Sequence, residues 1–195
     1  MKLYEKLYQP EALNKAFNRA MCGHRNETEH AMYEANKIEV IDYISSSLIN
    51  KSYIPQPLRL FEVFEPKRRF VQSPSVMDKI VQNALIDEIL YDVLTKPFIR
   101  DSYSGVKGSG THDGLSRLKQ FMAEAWRKYG TDCWVLKGDI HHFFDSINQD
   151  DVMRRASRYI NDSDVINLLW CYIRLCTHGL PLGLRTSQPL ANLEL

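Results

Sequence analysis

Residues 135–147 read VLKGDIHHFFDSI and join a short apolar run to two carboxylates. The apolar run at 133–137 is bounded by turn residues, which predicts a buried strand. Such a strand delivers Asp139 to the rim of a sheet, where its carboxylate and the carbonyl of Ile140 offer hard oxygen ligands for Mg²⁺. Metal-assisted phosphoryl transfer is the chemistry that these ligands support. The alternative is an aspartate that caps the following turn, and Asp145 is interpreted in that way.

Three basic residues, Lys67, Arg68 and Arg69, lie on or beside a predicted turn. Two short strands, 58–64 and 69–72, are expected to flank the turn and form a hairpin. Arg can grip phosphate oxygens with two donors and Lys adds a point charge, so the cluster is a candidate triphosphate site. The commoner meaning of such a run is a solvated surface, and that alternative stays open.

Helices are predicted to surround these segments. Hydrophobic spacing indicates two helices in the first fifty residues, and Ser75 with Asp78 forms a capping box at the start of a long helix. A glycine-rich loop at 101–114 leads into a further helix. That helix is expected to begin near Thr111, and others near Asn148, Asp162 and Thr186.

Composition limits the possible functions. The 195 residues carry a formal net charge of +1, so any nucleic-acid surface must be local rather than a bulk electrostatic effect. Four cysteines without a CxxC pair, and no signal peptide, predict reduced thiols in a cytoplasmic protein. Cys22, His24 and His30 fit no common zinc spacing, so zinc is not expected. The longest apolar runs are too short to span a membrane.

Four segments in order resemble the motifs of reverse transcriptases. The segment 135–147 resembles motif A, in which the aspartate is followed at this offset by a steric-gate aromatic residue. The segment 178–195, HGLPLGLRTSQPLANLEL, is similar to motif B, a glycine-bearing loop that leads into a helix beneath the template and nucleotide. The segments 64–85 and 98–115 resemble the fingers hairpin and a following glycine-rich turn of bacterial retroelement enzymes. The resemblance covers roughly 61–195.

The resemblance implies an RNA-directed DNA polymerase of a bacterial retroelement that uses two Mg²⁺ ions, an RNA template, a DNA primer and dNTPs. Asp139 would be the catalytic residue and, with Ile140, a metal ligand. Alignment favours Arg68 as the triphosphate contact, and Phe144 would exclude a 2′-hydroxyl. The residues that the resemblance assigns to nucleotide binding are Lys67, Arg68, Arg69, Phe144, Leu182 and Gly183. Those it assigns to template binding are Arg100, Lys107, Ser187 and Gln188.

Leu182 departs from the common pattern. Many reverse transcriptases have Gln at this position, and a Ser-Pro where this chain has Ser187 and Gln188. The form LGLRTSQ resembles diversity-generating retroelement enzymes and related retron-type enzymes. In the former, an aliphatic residue here accompanies error-prone copying. Because Leu cannot hydrogen-bond the nucleotide sugar, low fidelity is a hypothesis for this protein.

The expected fold is α+β and helix-rich, the fingers and partial palm of a right-hand polymerase. Residues 1–130 would form the fingers region and 131–195 the partial palm. The Asp-Asp box and the thumb are absent, and the sequence stops at PLANLEL within an apolar pattern, which is interpreted as a truncation. The fragment is therefore expected to be inactive alone. An unfinished palm sheet and motif B helix would leave apolar surface exposed, which could drive self-association.

Two other functions remain open. The first is a non-catalytic nucleic-acid-binding module that uses a reverse-transcriptase-like fold. The second is a magnesium nuclease or phosphatase that uses Asp139 and Asp145. That second alternative explains neither Phe144 nor the segment 178–195, so it ranks last.

Overall fold

A computed structural model describes residues 2–24, 27–64 and 68–195, and for Arg69 the backbone only. Lys67 and the side chain of Arg69 therefore lie outside the described residues. The helices are α1 (Pro10–Met21), α2 (Thr28–Ala35), α3 (Lys37–Ile49), α4 (Val76–Leu85), α5 (Tyr91–Leu94), α6 (Thr111–Tyr129), α7 (Phe143–Ser146), α8 (Gln149–Ala156), α9 (Ser163–Ile173) and α10 (Ser187–Ala191). A 3₁₀ turn (Tyr4–Lys6) precedes α1, and a π-helical turn (Ile86–Leu90) joins α4 to α5.

The helix-rich α+β class is confirmed, with one small sheet among the described residues. Strands β1 (Arg59–Val63) and β2 (Arg69–Ser73) pair antiparallel with Phe61 opposite Val71, so the hairpin predicted from the sequence forms. The division of the chain at residue 130 stays a prediction. No helix in the described part is both long and apolar enough to cross a membrane.

The core forms around α1 and α4. Leu13, Phe17 and Met21 follow helical spacing along α1 and are completely buried, as are Ile80 and Leu85 on α4. Each such side chain contributes roughly 1.5–3 kcal/mol of hydrophobic free energy when it leaves water. The apolar stripes that predicted these two helices therefore face each other across the core.

The first fifty residues form three α-helices rather than the two predicted. The break falls at Asn36, whose side-chain Nδ2 donates to the carbonyl of Met32 at 2.8 Å. An asparagine side chain that bonds its own backbone competes with the helical hydrogen bonds and ends α2 there. Met32 before this break and Ile38 after it are 64% and 84% exposed.

The prediction of a buried strand at 133–137 is wrong. This segment is extended but unpaired, and Trp134 and Leu136 are each 97% exposed. A strand needs a neighbour to receive its backbone hydrogen bonds, and β1 and β2 pair only with each other in the described chain. The segment therefore lacks the sheet that would bury it.

Exposed apolar surface occurs where α6 and the segment 133–137 lie. No residue of α6 is buried, although the helix has an apolar face that includes Leu118, Phe121 and Trp126. The expectation that the helix after the 178–186 loop would also be exposed is wrong, because Pro189 and Leu190 of α10 are buried. Self-association stays a prediction, which size-exclusion chromatography at high protein concentration tests.

A buried carboxylate links three elements. Asp78 at the first turn of α4 is fully buried and accepts hydrogen bonds from Tyr53 Oη at 2.7 Å, Ser75 Oγ at 2.6 Å and Gln56 N at 3.1 Å. Tyr172 Oη on α9 lies 3.4 Å from the same carboxylate. The predicted cap at Ser75 is confirmed, since its Oγ accepts from Asp78 N at 3.1 Å.

Folding stability is expected to fall at alkaline pH because of buried tyrosines. Burial and then the Asp164 charge raise the pKa of Tyr4 from 10.0 to about 12. Burial also raises the pKa of Tyr53 and of Tyr172 well above the ordinary tyrosine value. Above pH 10 the unfolded chain releases these protons while the folded chain keeps them. The unfolded state then binds fewer protons, so the free energy of unfolding drops as pH rises, by about 1.4 kcal/mol per pH unit for each tyrosine.

Urea unfolding at about pH 9 and about pH 11, on either side of the ordinary tyrosine pKa, measures this drop. Tyr53→Phe should remove one tyrosine's share of the pH dependence, although it also weakens the folded state at neutral pH. Tyr129→Phe on exposed α6 is the control and should leave the pH dependence unchanged. Equal pH dependence in all three proteins would contradict this assignment.

Candidate functional site

The loop between α9 and α10, residues 174–186, contacts both the hairpin and α7, and is called the glycine loop below. The backbone N of Leu180 donates to the carbonyl of Phe144 on α7 at 2.8 Å. The backbone N of Gln72 on β2 donates to the carbonyl of Leu182 at 3.2 Å. Three segments that the sequence analysis singled out separately therefore meet at this loop.

Two glycines allow these close approaches. Gly179 has φ +66°, and a Cβ there would lie 2.5 Å from the carbonyl oxygen of Phe144. Gly183 has φ +110°, and a Cβ there would overlap the carbonyl oxygen of Gln72. Other residues are both strained in these conformations and too large for the contacts. Glycine is therefore required on both sides of the loop.

A cleft of about 410 Å³ opens between the hairpin, α7 and the glycine loop. Leu60, Phe70 and Gln72 line its hairpin wall, Asp145 lies on the α7 side, and His178 belongs to the loop. Leu60 and Phe70 are 63% and 57% exposed, so an apolar wall faces polar groups across an open space. An exposed aromatic side chain beside polar groups is suited to stacking on a flat ring such as a nucleobase.

Side chains that the sequence analysis did not single out hold the glycine loop in place. Gln149 Nε2 on α8 lies 2.9 Å from the carbonyl oxygen of Gly179. The guanidinium of Arg185 donates to Asn83 Oδ1 at 2.7 Å and to Asp87 Oδ1 at 3.1 Å. Asn83 and Asp87 lie about a hundred residues from Arg185 in sequence. The sequence therefore carries no signal for these contacts beyond the position of Arg185 between two predicted helices.

Asp139 lies on the exposed extended segment and not in the cleft wall. Its carboxylate has no hydrogen-bond or ion-pair partner among the described residues, and Ile140 is half-exposed. Asp145, interpreted from sequence as a turn residue, lines the cleft and lies 3.2 Å from Nδ1 of His142. The two carboxylates of this segment therefore differ in surroundings, one free in solvent and one beside an imidazole.

The oxygens of Asp139 and Ile140 suit Mg²⁺, which prefers hard oxygen ligands. However, no group of three ligating His, Cys, Asp or Glu side chains in the described part of the chain includes Asp139. The residues present therefore fit one edge of a magnesium site. They do not complete a site for two ions.

Arg68 is exposed and forms an ion pair with Glu62 across the hairpin. Exposed pairs of this kind contribute about 1 kcal/mol or less, because water screens the charges. A polyphosphate with several negative charges can therefore displace Glu62 from the guanidinium. This placement leaves Arg68 available to a ligand near the hairpin turn.

No family model matches the chain. Protein YkfC of Escherichia coli (strain K12) is 24% identical over 214 residues, an alignment that covers 100% of this chain and 55% of YkfC. A chain of the partial Cas6-RT-Cas1–Cas2 complex and one of the Cas6-RT-Cas1–Cas2 complex each superpose on 99% of this chain, with 18% identity and a TM-score of 0.64. The chain has a reverse-transcriptase-like fold.

The chain spans about half the length of YkfC, and 34% and 21% of the two structural neighbours. At 18% identity these neighbours establish the fold alone. The resemblance of separate sequence segments to reverse-transcriptase motifs and the superposition of the whole chain agree on that fold.

Within this reverse-transcriptase-like fold, the residues proposed for template contact fall into two groups. Arg100 is exposed, and Lys107 is exposed with its Nζ 4.1 Å from the centre of the Tyr91 ring. Ser187 is buried, and its Oγ donates to the carbonyl of Pro181 at 2.7 Å. The basic pair is therefore accessible to a polyanion, while Ser187 holds the glycine loop.

Gln188 and Phe144 are each half-buried. Gln188 Nε2 donates to Asn192 Oδ1 at 2.8 Å, and Asn192 Nδ2 donates to the carbonyl of Ser104 at 2.8 Å. Gln188 thus belongs to a chain of contacts between α10 and the glycine-rich loop near 101–110. The Phe144 ring packs on Phe143 and the core, with its backbone fixed by Leu180.

Replacing Gly183 with alanine is expected to lower the free energy of unfolding by roughly 2 kcal/mol more than replacing Gly108, because only the first substitution overpacks a contact. Both glycines have positive φ, +110° and +77°, so both substitutions strain the backbone. A Cβ at Gly108 meets nothing within 4 Å, whereas one at Gly183 overlaps Gln72.

Urea unfolding of the two variants measures the difference. A larger loss for Gly183→Ala would show that the glycine loop is docked against the hairpin in solution. Equal losses would mean that backbone strain accounts for both, and would contradict the contact between Gly183 and Gln72.

Proposed function

We propose that the full-length protein carrying this chain is an RNA-directed DNA polymerase of a bacterial retroelement, and that this chain supplies fingers and part of the palm. The observation that carries the proposal is the meeting of three segments at one cleft. The glycine loop contacts the hairpin through Gly183 and α7 through Gly179. These are the segments whose residues resemble motif B, the fingers hairpin and motif A.

In this proposal the cleft receives an incoming dNTP paired with an RNA template. The base stacks beside the apolar wall of Leu60 and Phe70. The triphosphate replaces Glu62 as the ion-pair partner of the Arg68 guanidinium. Phe144 is the steric-gate residue that the resemblance to motif A assigns, and the glycine loop holds its backbone beside the cleft. Arg100 and Lys107 contact template phosphates, which position a strand without reading its sequence.

Asp139 and the carbonyl of Ile140 would contribute oxygen ligands to the metal site. Two Mg²⁺ ions, when bound, activate the primer hydroxyl and stabilise the leaving pyrophosphate. Further carboxylates from the full-length protein are required, because Asp139 belongs to no group of three ligating side chains within the described residues. By itself, the chain is therefore expected to be inactive.

Primer extension on a poly(rA) template with an oligo(dT) primer tests the proposal. The full-length protein should add dTMP when Mg²⁺ is present and stop when a chelator removes the metal. A matched reaction on poly(dA) measures the preference for an RNA template. Tight binding of the primed template without any extension would overturn the polymerase proposal.

A non-catalytic nucleic-acid-binding module is the second candidate. The observation that favours it is that Asp139 belongs to no group of three metal-ligating side chains among the described residues. A module of this kind would bind primed template with strong salt dependence, because phosphate contacts release counterions. It would bind equally well after Asp139 is replaced and would never extend the primer.

Leu182→Gln is expected to lower the misincorporation rate of the full-length enzyme severalfold. Leu182 lines the cleft and is 43% exposed, and an aliphatic side chain offers no hydrogen bond to the nucleotide sugar. A glutamine there adds donors and acceptors that check the sugar position. Extension with one dNTP withheld measures the error rate, and equal rates for the two proteins would remove the low-fidelity hypothesis.

A further inference from the structure

His24, Glu27 and His30 form a compact cluster where the segment after α1 leads into α2. Nδ1 of His24 lies 2.6 Å from Oε1 of Glu27, and Nδ1 of His30 lies 3.1 Å from Oε2 of the same carboxylate. The two imidazole rings stack with centroids 5.0 Å apart. One ring nitrogen from each of the two histidines therefore lies next to the same carboxylate.

The buried member of the cluster is incompletely satisfied. His30 is only 3% exposed, and neither of its ring nitrogens makes a hydrogen bond with the described residues, despite the 3.1 Å approach to Glu27. A buried polar nitrogen without a partner is costly, and such groups usually have a structural or functional reason. His24 and Glu27 are exposed, so the nitrogen of His30 faces a pair of ligands that solvent can reach.

We propose that His24, Glu27 and His30 bind a divalent transition-metal cation such as Zn²⁺. Zinc bonds of about 2.0–2.2 Å at tetrahedral angles place neighbouring ligand atoms roughly 3.3 Å apart. The three ligating groups already lie within 4.8 Å of one another, so small side-chain movements complete the arrangement. Two histidines and one carboxylate leave a fourth position for water, as in catalytic zinc sites.

The ligand chemistry selects the class of cation. Imidazole nitrogens suit zinc, nickel or copper, whereas Mg²⁺ and Ca²⁺ prefer an all-oxygen set. Glu27, rather than the nearby Cys22, joins the two histidines in this cluster.

A metal at this cluster would also stabilise the hairpin through α2. Glu29 of α2 accepts two hydrogen bonds from the guanidinium of Arg59, at 2.7 and 2.9 Å, at the start of β1. A cation that joins His24 to Glu27 and His30 fixes the first turn of α2, and with it the partner of Arg59. None of these contacts involves Asp139 or the cleft, so metal binding here does not depend on whether the protein polymerises nucleotides.

Calorimetric titration of Zn²⁺ into tag-free, metal-stripped full-length protein tests the proposal. The proposal predicts that His24→Gln and His30→Gln each weaken binding at this site by at least about tenfold, since each removes one of three ligands. His112→Gln, at the exposed first turn of α6, is the matched control and should bind as the parent does. Circular dichroism of each variant checks that it is folded.

His24→Gln carries the test if the buried His30 variant fails to fold. Three of the four free cysteines are exposed, so Co²⁺ substitution separates a histidine and carboxylate site from a thiolate site. The expected cobalt spectrum lacks the near-ultraviolet sulfur-to-metal charge-transfer band. Equal zinc affinity in His24→Gln and His112→Gln, or a strong sulfur band, would overturn the proposal.

Discussion

Replacing Asp139 with alanine is expected to reduce primer extension by the full-length protein by roughly 1000-fold or more, because metal coordination supplies several kcal/mol of transition-state stabilisation. Asp139 follows the extended segment, and its carboxylate has no partner among the described residues. A carboxylate without an ion pair is free to coordinate a cation. The loss should appear in the rate of extension at saturating primed template and dNTP.

Two other aspartates separate a metal ligand from a general charge effect. Asp132→Ala, at an exposed position seven residues earlier, should retain extension. Asp145→Ala tests the carboxylate that lines the cleft beside His142. If Asp145→Ala abolished extension and Asp139→Ala retained it, the metal role would belong to Asp145. Unchanged binding of the primed template by Asp139→Ala would show that the fold is intact.

Local sequence signals predicted much of the helical structure. The cap at Ser75, the cap at Asn148 and the cap at Asp162 each depend on groups within three residues, and all three are present. The hairpin also forms where the turn signals placed it. Features that a short segment determines by itself can be predicted from that segment.

Features that depend on distant partners could not be predicted in this way. The run at 133–137 has the composition of a strand, but a strand exists only when another strand pairs with it. The resemblance assigned Gly183 to nucleotide binding, whereas the carbonyl of Gln72 as its neighbour follows only from the fold. Likewise, the place of Glu27 between His24 and His30 depends on side-chain positions, which the common sequence spacings of zinc ligands do not predict.

Replacing Asp78 with alanine is expected to lower the melting temperature by roughly 6–20 °C, since a chain of this size loses about 2–4 °C for each kcal/mol. The substitution removes the acceptor that the hydroxyls of Tyr53 and Ser75 and the backbone N of Gln56 now share. Buried donors without partners cost about 1–3 kcal/mol each, and part of this cost is relieved where water enters. A total loss of roughly 3–5 kcal/mol follows.

The comparison of Asp78→Ala with Asp42→Ala isolates burial, because Asp42 lies on the exposed face of α3 and should change stability little. Asp78→Asn retains one acceptor oxygen at the same place and should fall between the two. Tyr172→Phe should cost less than Tyr53→Phe, since their hydroxyls lie 3.4 and 2.7 Å from the carboxylate. Equal losses of melting temperature in Asp42→Ala and Asp78→Ala would contradict the stabilising role of the buried network. Because that network joins α4 to α9 and to the segment before β1, its loss should also loosen the hairpin wall of the cleft.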